Sequence, residues 1–169
     1  MALNKNKLKQ GLIDNFKNIR DNGLSKNDSA TGFAKAIVDY SGDAVLPAAA
    51  NSNITTHLIG QPALQSGILT SFTANDATMG LIATTIVGYV ASSFTTFATG
   101  TNSGIGLSVM VVPPIFAPVI SNGLNGGSID DVCGIMADVI HTSYSSILFT
   151  GTVILSGAAG SPVTGKPIL

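Results

Sequence analysis

The chain repeats itself three times, and any fold it adopts must accommodate that period. Residues 8–16 read LKQGLIDNF and residues 64–72 read LQSGILTSF. Leu8 aligns with Leu64, Gly11 with Gly67, Leu12 and Ile13 with Ile68 and Leu69, and Phe16 with Phe72. A second block runs from Ala34 to Tyr40 and returns from Ala83 to Tyr89, with Ile37-Val38 matched by Ile86-Val87. A weaker third copy starts near Ile115 and includes Val119-Ile120 and Ala137-Asp138-Val139-Ile140. The boundaries share a signature as well, since Gly60-Gln61-Pro62-Ala63-Leu64 resembles Gly165-Lys166-Pro167-Ile168-Leu169. A period of about fifty residues makes each unit one supersecondary element. It divides the chain into residues 1–62, 63–113 and 114–169, three units expected to pack as one domain.

Within each unit the apolar periodicity changes from helical to pleated. Leu8, Leu12, Phe16 and Ile19 recur at helical spacing over residues 5–20, with Lys and Asn on the other face, and Asp21-Asn22-Gly23 supplies a stop. Asn27-Asp28-Ser29 predicts a second helix carrying Phe33, Ile37 and Tyr40 and ending at Ser41-Gly42. Residues 53–59 then read as a strand because Ile and Thr favour a pleated surface. The same order recurs as helices over 62–74 and 76–98 followed by a strand over 104–112. In the third unit a helix opens at Ser128, with Asp131 as a capping-box partner, before a strand over 149–156 and a Gly/Ser/Pro tail. Asn75-Asp76 is the expected cap of the 76–98 helix. The fold class is therefore α+β, mostly helical, built of three tandem helix-helix-strand units. The expected core is Leu8, Leu12, Phe16, Ile37, Tyr40, Leu64, Ile68, Phe72, Ile86 and Tyr89. Strand edges left open would invite pairing with neighbouring chains.

Charge is scarce and unevenly placed. Charged residues make up 10% of the chain, Glu is absent, and the net charge is −1, which argues against nucleic acid as the main partner. Seven of the eight Lys and Arg residues lie within residues 5–35, and no charged residue occurs between Ala77 and Ile129. A lone soluble domain needs charge on its surface. The charge-poor last two thirds must therefore present a Ser, Thr, Asn and Gly surface or be covered by another chain or by lipid. The apolar run 79–97, which has nearly the length of a membrane span, carries the second alternative, an integral membrane protein also using 105–120 or 134–154. Against a span stand its Ser and Thr residues, its lack of basic flanks, and Lys35 and Asp39 in the matching helix of the first unit. The amphipathic N-terminus has no long apolar segment and no cleavage motif, so a signal peptide is not expected.

No constellation for chemistry emerges. Cys133 is alone, so neither a disulfide within the chain nor a Cys cluster for zinc can form, and it reads as a core residue. His57 and His141 fall in different units with no shared motif, and both read as structural. Gly104-Ile105-Gly106 and Gly123 to Gly127 lack the Lys-Ser/Thr of a phosphate loop and read as loops and close backbone contacts. There is no Gly-x-Ser-x-Gly elbow. Asp130 and Asp131 suit a helix N-terminus, and the lysines of residues 5–17 suit a solvated face. No catalytic, cofactor-binding or metal residue is assigned, and neither a cofactor nor a small-molecule substrate is expected.

The opening, with Leu8, Leu12 and Phe16, resembles the start of virion structural proteins of contractile-tailed bacteriophages. Those proteins begin with a short Leu-Lys-x-x-[Leu/Ile]-x-x-x-Phe helix. A polar loop and a second helix with an Ala-x-x-Ile-x-x-Tyr core follow, here Ala34, Ile37 and Tyr40. The resemblance covers about the first 45 residues. It implies a non-enzymatic tail, baseplate or neck component, assembled in the host cytoplasm into the virion. Its partners would be copies of itself, as a ring or adaptor, and other virion structural proteins.

Overall fold

The first unit begins with a capped helix. Asn4 accepts the amide hydrogens of Asn6 and Lys7 to start α1 (Lys5–Asn22), and Gly23 ends it in the left-handed region at φ 60°. The second helix, α2 (Lys26–Ser41), starts a turn earlier than Asn27-Asp28-Ser29 implies, because Ser25 accepts the amide of Asp28 and donates to its carboxylate. After β1 (Val45–Leu46), a short 3-10 turn (Pro47–Ala49) and β2 (Ser52–Ile54), the pattern returns. It gives α3 (Gln61–Ala74), α4 (Gly80–Ser93), β3 (Thr96–Thr99) and β4 (Asn102–Met110), then α5 (Ala117–Leu124), α6 (Ile129–Tyr144), β5 (Ile147–Ile154) and β6 (Ser161–Pro167). The computed structural model describes residues 3–169, and among them these six α-helices and six strands form a mostly helical α+β fold.

Several expected boundaries need correction, among them the start of the 76–98 helix, which lies at Gly80. Each helix pair leads into a β-hairpin, not a single strand, so β1, β3 and β6 are additions. The segment 53–59 leaves the sheet after Ile54 because Thr56 to Gly60 turn back on themselves, with Ile59 donating to the Thr56 carbonyl. The helix expected to reach residue 98 stops at Ser93. Beyond it Thr95, Thr96 and Phe97 extend into β3, where the Thr56 hydroxyl accepts the amides of Thr95 and Thr96. The Gly/Ser/Pro tail pairs with β5 as β6. Consequently Gly60–Leu64 opens a helix while Gly165–Leu169 closes a strand, and their likeness in sequence has no structural counterpart.

The helix α4 is also not cloaked on all sides. Ile82, Ile86, Tyr89 and Val90 are buried, whereas Thr84, Gly88 and Ala91 face outward. It has 14 residues, about 21 Å of helix against a hydrocarbon layer of about 30 Å. No helix among the described residues is long and apolar enough to cross a membrane.

The caps of α4 and α6 give these helices a pH dependence. Met79 occupies the cap position of α4 in a left-handed conformation without a side-chain bond. Asp76 does the capping from outside, its carboxylate accepting from the Leu81 amide at 2.8 Å and from the Thr78 amide and hydroxyl. Those bonds, the Leu81 amide first, hold the Asp76 carboxyl below its ordinary value of 3.8. Asp131 is lowered likewise by the Ser128 hydroxyl and amide, in the capping box that opens α6. A carboxyl whose folded value is depressed stabilises the fold above its unfolded value and ceases to do so as pH falls through the folded one. Denaturant titrations from neutral pH down to about pH 2 should thus show an acid loss of stability. That loss should be shallower in Asp76→Asn and in Asp131→Asn.

The six strands form one antiparallel meander in sequence order. Val45 and Leu169 exchange both backbone hydrogen bonds, at 2.8 and 3.0 Å, so the chain beyond β6 meets β1 and joins the two edges of the sheet. The helices lie side by side in the order α5, α6, α1, α2, α3, α4. The α1–α6 joint carries the ion pairs Lys5–Asp138 and Lys9–Asp130. At α2–α3, Phe33 meets Phe72 edge to face at 6.4 Å and Lys26 donates to the Phe72 carbonyl. At α4–α5, the remaining joint of the circuit, the two helices are parted by an apolar groove of about 600 Å³.

Every second helix places one buried tyrosine at the junction with the sheet: Tyr40, Tyr89 and Tyr144. A buried phenol requires a partner. Tyr40 meets Nδ1 of His141 at 2.6 Å, Tyr144 meets the Ser41 hydroxyl at 3.0 Å, and Tyr89 donates to the His57 carbonyl at 2.7 Å. Burial raises the pKa of all three phenols. Eight of the ten expected core residues are buried, while Phe16 and Phe72 are half-buried against the core. Asn15, on the face expected to be polar, is buried and donates to the Ser29 carbonyl.

Candidate interaction surface

The residues of β4 alternate in the reverse of the usual sense. A strand on a core normally turns its branched side chains inward. Here Gly104, Ser108 and Met110 are buried, while Ile105, Leu107 and Val109 are 59%, 68% and 62% exposed. Before Met110 the inner side has little room for larger groups. A Cβ on Gly104 would come within 2.5 Å of Leu46, and the Ser108 hydroxyl donates to the Phe94 carbonyl in the buried layer. Gly106 lies directly opposite Gly151 of β5, and a Cβ on either would meet the other strand's backbone at 2.2–2.6 Å. The small residues thus admit Leu46, Phe94 and a close approach of two strands, and the large ones other than Met110 face outward.

The outward file continues. Leu148 stands opposite Val109, and Thr150 and Thr152 stand opposite Leu107 and Ile105. On the other side Thr96 pairs with Ile105. Past the end of β4, Val111, Val112 and Ile115 remain exposed. Full burial of a Val, Leu or Ile side chain is worth about 1.5–3 kcal/mol at roughly 25 cal/mol per Å², or ~100 Å² apiece. At their observed exposures these seven apolar residues leave on the order of 400 Å² of apolar surface in water. That lies within the range of the largest patch on a monomer, a class of patch that is often functional. Two grooves flank α5 and continue the surface. One, about 600 Å³, lies toward α4 between Met79, Ala83, Phe116 and Ile120. The other, about 350 Å³, lies toward α6 between Val112, Ile115, Ile135 and Val139. The helix between them buries only Val119.

The side chains considered for chemistry stay apart. Cys133 is buried on α6, and burial pushes its thiol up to about 11, the reverse of a reactive thiolate. His141 serves Tyr40. His57 is half-buried, and its Nδ1 has no partner among the described residues. Gly104 and Gly106 belong to β4 and make close contacts, not a loop, whereas Gly123 to Gly127 end α5 and turn the chain. Asp130 and Asp131 open α6, and Asp130 pairs with Lys9. No group of three or more His, Cys, Asp or Glu residues capable of holding a metal occurs among the described residues. Three lysines of α1 meet acidic groups of their own chain, Lys5 with Asp138, Lys7 with Asp43 and Lys9 with Asp130. Exposed pairs of this kind contribute little, about 0–1 kcal/mol each.

Sequence reasoning located the uncharged stretch but not the side of β4 that faces out. The signal was present in Gly104, Gly106 and Ser108 alternating with Ile105, Leu107 and Val109. Family models, curated proteins and solved structures give no match to this chain.

Proposed function

We propose that the chain is a non-enzymatic structural subunit, held in an oligomeric assembly by the uncharged surface of β4 and its surroundings. One observation carries this reading: β4 turns Ile105, Leu107 and Val109 to solvent and keeps Gly104 and Ser108 inside. Apolar surface of that extent is costly in water, and an interface removes the cost. The absence of charge from Ala77 to Ile129 supports it, since interface cores are depleted in charged residues.

The narrower proposal is a virion component of a contractile-tailed phage, in the tail, baseplate or neck, assembled in the host cytoplasm with copies of itself and other virion proteins. The resemblance of the N-terminal helical pair supports that part; of the residues that carry it, Leu8, Leu12, Ala34, Ile37 and Tyr40 are buried and Phe16 is half-buried against the core. Sedimentation equilibrium on the purified full chain tests the broader proposal. A discrete oligomer at micromolar concentration is expected, and a monomer at every concentration overturns it. For the narrower one, peptide mass spectrometry of particles purified from cells carrying the gene should find the chain at a fixed ratio to the major tail proteins. Its absence from such particles would remove the virion assignment.

A further inference from the structure

We infer that the partner on the outer face of β4 and β5 is a second copy of this chain, packed face to face about a two-fold axis near Leu107. The inference rests on the structural-subunit reading and names the partner of that surface.

Edge pairing is the competing way for sheets to associate, and the edges here are closed to it. The first strand has two residues and already bonds to Leu169. The last carries Pro162, Lys166 and Pro167, the residue types that blunt an edge. The face is therefore the part of the sheet left to associate.

Three properties of that face fit its own copy. The outward residues of β3, β4 and β5, from Thr96 to Ile154, include no ionisable group, so two copies approach without like-charge repulsion. A charged partner, by contrast, would find nothing to pair with. The file is also nearly symmetric about its centre, with Ile105 and Val109 at equal distance from Leu107. A two-fold axis there sets Ile105 of one copy against Val109 of the next, branched side chain on branched side chain. An isologous contact requires this self-complementarity. Finally, the area suffices. A standard interface removes about 800 Å² per partner, somewhat over half of it apolar, or about 450 Å². The apolar residues in and beside this file supply an area of that order. Two such faces would stack about 10 Å apart, with the threonine rows interlocking on either side.

Native mass spectrometry and sedimentation equilibrium on the full chain test the pairing, using Leu107→Lys, Leu107→Asp and, as a milder change, Leu107→Thr. Leu107 is exposed, so all three are expected to keep the wild-type circular dichroism spectrum. The wild type should show an even-numbered oligomer. Lysine or aspartate alone should weaken that association by about 100-fold or more, because each like charge meets its own symmetry mate. Threonine should weaken it less. Equimolar Lys and Asp variants, mixed, should recover a species containing one of each. An odd-numbered wild-type oligomer, variants that associate as the wild type does, or a mixture that fails to recover would each overturn the two-fold pairing and leave the structural-subunit reading in place. A monomeric wild type at all concentrations would overturn both.

Discussion

Gly151→Ala should lower stability by about 3 kcal/mol, near the upper end for overpacking a filled site, and the melting temperature by about 10 °C. The added methyl would lie 2.3 Å from the Ile105 carbonyl oxygen and 2.6 Å from the Gly106 Cα. Both are backbone atoms of the facing strand, so neither can rotate away. Relief requires the β4–β5 pair to spread, and that pair has the longest register in the sheet, from Ser103 opposite Ile154 to Met110 opposite Ile147. Gly106→Ala should behave the same way, because its methyl would meet the Thr150 carbonyl at 2.2 Å. Gly88→Ala provides the contrast. Gly88 is exposed within α4 and nothing lies within 4 Å of its added Cβ, so alanine should stabilise by about 0.5–1 kcal/mol through helix propensity. Thermal unfolding of all three at one protomer concentration reads the contrast. A neutral Gly151→Ala would refute the close approach of the strands.

Phe94→Ala should cost about 4 kcal/mol. Phe94 follows α4 directly and turns the chain into β3. Its ring is fully buried and stands edge to face with Tyr89 at 6.2 Å, Tyr144 at 5.8 Å and Phe97 at 6.4 Å. Phe97 in turn meets Phe149. Truncation removes the central ring of a chain that runs from the tyrosines at the helix ends into the sheet. The Tyr89 and Tyr144 rings, fixed by their hydroxyl partners, cannot collapse into the hole, which places the cost high in the usual range. Phe94→Leu keeps most of the volume and should cost about 1.5 kcal/mol or less. Urea denaturation monitored by tyrosine fluorescence separates the two, and equal losses would mean that the aromatic cluster does not act as a packed unit.

Most of the helices were legible in the sequence because their signals are local, whereas α5 was not placed. Leu8 and Leu12 mark the buried stripe of α1, Gly23 stops it, and Ser128 with Asp131 announces α6 in four residues. The strands β4 and β5 were legible from β-branched runs. The first strand was not, because two residues flanked by alanines carry no period. Nor was β3, since no Gly, Pro, Asn or Asp separates it from the apolar helix before it and only the turn at Gly100 betrays it. The last strand looks like a tail because Pro162 and Pro167 are rare in a sheet interior, yet an edge strand tolerates both. Among the three tyrosines, Tyr40 and Tyr89 stood in the repeat. Tyr144 did not, because the third copy has drifted and only tertiary structure brings it beside Tyr40, with ring centroids 5.1 Å apart. The interaction surface was half visible. Lack of charge showed that something must cover residues 77–129, but a strand with its apolar side outward contradicts the rule by which strands are normally oriented from sequence.

The gap between α4 and α5 has a consequence for motion. With eight residues and a single buried side chain, α5 is fastened to the body almost wholly through α6. Segments with so few anchors detach at low free energy while the rest stays folded. This short helix is therefore expected to swing like a flap, widening the grooves on both its flanks without disturbing the tyrosines or the strands, one soft element set into a stiff frame.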